Sequence, residues 1–185
     1  MTIDSQQIIA ATQLWLEKAV IGLNLCPFAR APYLKGQVHF EVSEALTQEA
    51  LLEDLTAALT SLLAKRAEIV ETTLLIHPEV LLDFEDFNDF LQTANHAVEL
   101  LGLEGTLQIA SFHPCYQFAG TEPDDLENYT NRSPYPILHL LRESSIERAV
   151  DSMEDTDAIY EANIAALEKL GKQGWNKLWK AAIDE

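Results

Sequence analysis

The sequence predicts an α/β domain: a small, mainly parallel sheet of three or four strands, covered by helices, with helical segments at both ends. Three observations predict it. Short β-branched and apolar runs alternate with longer amphipathic stretches, the pattern of βαβ units. Two of the runs lead into the same dipeptide, His77-Pro78 and His113-Pro114, where a residue unable to donate to the ladder turns the chain out of the sheet. Apolar residues make up 48% of the 185, which suits one domain over residues 1–185 with a full core.

The first helix opens at Asp4, with Gln7 three residues on, close to a capping box. Ile8, Ile9, Trp15, Leu16, Ala19 and Val20 give it an apolar face, and Gly22 is a suitable stop. A two-proline loop, N-L-C-P-F-A-R-A-P, follows. Gln37 to Val42 alternates like a strand, and Thr47 then caps a helix whose leucines share one face. Thr72 to His77 reads as a buried strand. A helix follows Asp83 or Asp86 and stops at Gly102, and Thr106 to Phe112 is a third strand. Beyond a long loop, Pro136 suits the first turn of a helix. Ser144 with Glu147 caps another, and Asp155 to Leu170 is amphipathic up to Gly171. Trp175, Leu178 and Trp179 form a last apolar stripe.

The formal net charge is −18. Phosphate binding needs clustered Lys and Arg, so this balance argues against nucleic acid and against anionic membrane surfaces. No basic segment followed by an apolar run opens the chain, and no stretch approaches the roughly 20 apolar residues that span a bilayer. With two cysteines, the expected setting is a reducing cytoplasm with both thiols free.

Chemistry concentrates between Ser111 and Arg142, where His113, Cys115, Gln117, Asn131 and Arg132 stand among tyrosines and prolines. Such mixed polar density suits a site carried on loops. If the two strands that lead into His-Pro run the same way, His77 and His113 reach one rim of the sheet, where open α/β sheets bind ligands. No Lys or Arg occurs from Ala67 to Asn131. Arg30, Arg132 and Arg142 are therefore candidate anchors for an anionic group, or partners for the chain's own carboxylates.

The expected pocket takes a small polar, anionic metabolite. Asn24, Arg30, His77, Gln117, Asn131 and Arg142 would bind it. If it is catalytic, Cys26 is the nucleophile, His113 the base and Arg132 the anion anchor. Cys26 is then expected to be the more reactive thiol, although most free cysteines are small buried hydrophobes. Two other readings stay open. Cys26, His77, His113, Cys115 and His139 offer zinc ligands without a recognised spacing, and the alternative for His139, in L-H-L-L, is a satisfied core histidine. Otherwise the chain is a non-catalytic interaction protein whose polar loops order the fold. Glu122 to Glu127 reads as a capped turn or a cation site. No Gly-rich phosphate loop or dinucleotide fingerprint is present, so no cofactor is assigned.

N-L-C-P-F at 24–28, H-P-C-Y-Q-F at 113–118 and N-R-S-P-Y-P at 131–136 together resemble the family catalogued as domain of unknown function 1415. The resemblance extends over nearly the whole chain. It implies a bacterial single-domain protein and carries no catalytic role, so the roles above rest on chemistry alone.

Overall fold

The computed structural model describes residues 4–151 and 157–178. Helix α1 (Ser5–Trp15) is capped by Asp4, whose carboxylate accepts the Gln6 N–H. The helix then widens into a π-helical turn over Leu16–Ile21. Gly22, expected to end it, keeps a helical backbone. The left-handed residue is Asn24 (φ 55), and Leu25 N–H reaches back to the Val20 carbonyl at 2.9 Å. Glycine is needed at 22 for space instead, since a Cβ there would lie 2.3 Å from the Lys18 carbonyl oxygen.

The middle of the chain follows its pattern. After α2 (Arg30–Leu34) come β1 (Val38–Val42), α3 (Gln48–Ala64), β2 (Thr72–Ile76), α4 (Phe84–Leu100) and β3 (Leu107–Phe112). Thr47 accepts the Ala50 N–H at the start of α3, and Asp83 accepts those of Glu85 and Asp86 at the start of α4. These side chains satisfy N–H groups that have no partner inside the helix. Gly102 (φ 67) ends α4, with Leu103 N–H bonded to the Val98 carbonyl at 3.0 Å.

The sequence expectation fails at Pro136. The segment beyond it is a strand, β4 (Ile137–Arg142), not a helix. A short apolar run does not distinguish the two by periodicity. Helix α5 (Glu143–Asp151) follows without a gap, so Ser144 lies in its first turn and does not cap it. Helix α6 (Asp157–Leu178) bends at Gly171 (φ 64, ψ 172) and resumes. Asp155 and Trp179 lie outside the described residues.

The sheet order is β1-β2-β4-β3. Among the described residues only β1 and β2 pair in parallel, and β4 is antiparallel to both β2 and β3. The sheet is therefore mixed, not mainly parallel. The cause is the connection after β3: its short 3-10 helix (Leu126–Asn131) does not carry the chain back across the sheet, so the chain re-enters from the rim where it left. Strands β2 and β3 still run in the same direction, because each opposes β4. The sheet's first face, with Leu75, Leu138, Leu140 and Leu107, packs on α3 and α4. Its second face, with Leu74, Ile76 and Ile137, packs on α1, the π-helical turn and α6.

Candidate functional site

The loop from His113 to Pro136 is knit to itself. Asn131 donates from Nδ2 to the Ser111 carbonyl at 3.1 Å, and its own carbonyl accepts the His113 N–H at 3.1 Å. Arg132 donates from Nε to the Tyr116 carbonyl and from Nη2 to that of Pro123, with its guanidinium 4.3 Å over the Tyr129 ring. The Arg132 carbonyl in turn accepts the Trp15 indole N–H at 2.8 Å. Gln117 donates to the Thr121 carbonyl. Arg132, set out above as an anion anchor, thus has backbone carbonyls as its partners. Glu122 to Glu127 forms a turn: the Glu122 N–H bonds the Asp125 carboxylate at 2.8 Å, and Asp124 pairs with Lys172.

The hub of this loop is a residue the sequence reading passed over. Asn128 is fully buried. Its Oδ1 accepts from Phe118 N–H and Thr121 Oγ1, and its Nδ2 donates to the Glu122 carbonyl, all within 2.9 Å. An asparagine between acidic and aromatic neighbours has no sequence pattern that marks it as buried.

His77 and His113 do share one rim. Both are fully buried, and both rings lie against Phe87 of α4, at centroid distances of 5.7 and 5.0 Å. His77 donates from Nδ1 to the Val80 carbonyl at 2.9 Å. His113 accepts the Cys115 N–H on Nδ1 at 3.0 Å, which leaves Nε2 to donate to the Leu81 carbonyl at 3.2 Å. The left-handed backbone of Leu81 (φ 57) is held where that carbonyl meets the ring. Burial pushes both imidazoles down, His77 to about 4. They are neutral struts that tie two strand ends to the 77–82 turn.

The structure does not bring Cys26 to His113. His113 projects with Leu107 and Ile109 toward α4, whereas Cys26 packs against the opposite face of the sheet. Zinc through Cys26, His77, His113, Cys115 and His139 meets the same barrier, and among the described residues no group of three or more His, Cys, Asp or Glu gathers as a metal site. Asn24 is exposed on the loop that carries Cys26, and Arg30 is exposed at the start of α2. Arg142 places Nη2 within 3.0 Å of the Leu62, Lys65 and Val70 carbonyls. It closes the C-terminal end of α3, where carbonyls lack helical partners.

A cavity of about 390 Å³ does open on the second face. Its floor is the sheet, through Leu74, Ala110, Phe112, His139 and Leu141. One wall comes from the N-terminal segment, with Trp15, Leu16, Cys26 and Phe28, and the other from α5, with Ile146 and Val150. Glu71, Gln108, Arg142 and Ser145 complete its polar lining with Thr72. In the floor, His139 Nε2 lies 2.7 Å from Thr72 Oγ1, which lies 2.6 Å from the Leu140 carbonyl. His139 is thus a strand residue in a cavity and not a helical core residue. Burial pushes it down to about 4.

The two thiols differ in the opposite sense to expectation. Burial pushes the Cys26 thiol up, against weaker lowering by the Phe28 and Ala29 N–H groups. Cys115 is exposed. Limiting alkylation of the native protein at neutral pH should therefore label Cys115 first, at least several-fold faster, since the thiolate is the reacting species. Equal or faster labelling of Cys26, read by peptide mapping, would contradict this ordering.

Comparison with family models matches residues 7–177 to one described as "Protein of unknown function (DUF1415)". No curated protein and no solved structure matches the chain.

Proposed function

From the premise that the chain belongs to the DUF1415 family, we propose that it binds a small, largely apolar molecule in the cavity on the second face of its sheet. The observation that carries this reading is the cavity itself, of about 390 Å³ and walled mainly by aromatic and aliphatic side chains with a few polar groups. Ligand sites have this size and this composition. Helix α5 supports the reading further. None of its residues is fully buried, and Ile146 and Val150 face the open trough, so its apolar side has room for an occupant.

The reading keeps a small-molecule ligand and moves its place. The N-L-C-P-F segment contributes Cys26 and Phe28 to the wall, while the two later motifs brace the rim. The polar, anionic character first expected of the ligand gives way to an apolar body, because the cavity is walled mainly by apolar side chains, and the Arg132 guanidinium and Arg142 Nη2 bond backbone carbonyls. Two unpaired cysteines fit a reducing cytoplasm as the setting.

The neutral fluorophore prodan tests it. Bound in the cavity, prodan should shift to the blue and brighten at micromolar protein. Ala110→Leu fills the floor between His139 and the trough and should weaken binding at least tenfold, with the melting temperature unchanged or raised. Binding that survives Ala110→Leu, or no binding to the wild type, would overturn the reading.

A further inference from the structure

Resting on the cavity reading, the geometry points to His139 as the group that selects the ligand: a neutral molecule with an apolar body and one hydroxyl or N–H donor, received by Nδ1. The argument is one of proton placement. Thr72 Oγ1 stands 2.6 Å from the Leu140 carbonyl and 2.7 Å from His139 Nε2. A carbonyl only accepts, so the Thr72 proton goes to Leu140, and Nε2 must carry the ring proton that reaches Thr72. Nδ1 is then a bare acceptor. Buried side-chain nitrogens without a partner are, among the described residues, His77 Nε2 and Arg142 Nε. Nδ1 of His139 is therefore open to the cavity that its residue lines.

The surroundings favour a donor over an anion. In the sheet, His139 stands between Leu74 and Ala110, and the small Ala110 leaves the space beside the ring open. Burial holds the imidazole neutral at physiological pH, so it offers a carboxylate no charge. The charged groups of the lining are Glu71 and Arg142. Glu71 pairs with Arg148; Arg142 Nη2 is held by three carbonyls, while its Nε is buried without a partner. An anionic head at that end would meet the Glu71 carboxylate.

Displacement of prodan by three matched probes decides the matter: para-propylphenol, para-propylanisole and para-propylbenzoate. The phenol should bind about fivefold tighter than the ether, the yield of one hydrogen bond to a neutral acceptor, and the benzoate should bind weakest. In His139→Phe the preference for the phenol over the ether should be lost. Histidine ¹⁵N spectra of the wild type add a readout independent of the variant's folding: the phenol should move the His139 Nδ1 resonance and leave Nε2 protonated. Equal affinities for phenol and ether in the wild type would overturn the acceptor role and leave the cavity reading standing. Tightest binding by the benzoate would overturn it in favour of the Arg142 end. Failure of prodan and all three probes to bind would remove both.

Discussion

Between pH 6.5 and pH 4 the protein should lose about 3 kcal/mol of stability through His77 alone, at about 1.4 kcal/mol per pH unit for one proton. His77 is fully buried beside Phe87 and titrates at about 4 in the fold, against an ordinary value of 6.5. Across that window the unfolded chain takes up a proton that the native ring refuses. Stability therefore rises with pH, is complete above about 6.5 and is lost as pH falls toward 4. His139 and His113, also pushed down by burial, act in the same direction. The chain's excess negative charge acts oppositely, since acid relieves its self-repulsion, so the measurement belongs at high salt. Urea unfolding across the window should show the slope, and His77→Leu should reduce it. A flat profile in the wild type would show that the ring is protonated without cost in the fold.

Asn128→Ala should destabilise the protein by about 2–3 kcal/mol, because truncation leaves buried groups without partners. The groups concerned are the Phe118 N–H and the Glu122 carbonyl; Thr121 Oγ1 keeps an alternative in the Phe118 carbonyl. The loss should also be local. Amide exchange should accelerate over residues 116–131 before it changes in α3 or α4. Unchanged urea midpoint and unchanged exchange would mean that water replaces the asparagine without penalty.

The parts of the fold that were legible in the sequence share a physical basis. Thr47 and Asp83 stand where a helix needs an acceptor, and the structure uses both. The His-Pro endings place His77 and His113 on one rim, because the third partner, β4, opposes both strands. What was not legible follows from two facts. A short segment such as Ile137–Arg142, four of whose six residues are apolar, satisfies a helix or a strand equally, so the mixed sheet could not be foreseen. The cavity is assembled from single apolar or small residues on many elements, Ala110 and Ile146 among them, and carries no polar signature. The pairing of Cys26 with His113 fails on parity. In β3 the odd residues face α4 and the even ones, Ala110 and Phe112, face the cavity, so His113 belongs to the wrong face. That alternation was readable; the side on which Cys26 would pack was not.

The insertion of β4 between β2 and β3 makes the sheet's continuity depend on one strand that comes last in the sequence. Without residues 137–142 no ladder joins β2 to β3, because each pairs with β4. They are separated by the width of one absent strand, and the edges that will face it are unpaired, a template for association with other chains. Closure waits for residues 137–142, whose register runs from Ile76↔Ile137 on one side to Leu107↔Arg142 on the other. Both ladders depend on this one segment, and their contacts are sequence-distant, the kind that slows folding. A chain cut before residue 137 would therefore lack both ladders and leave β2 and β3 each with an unpaired edge.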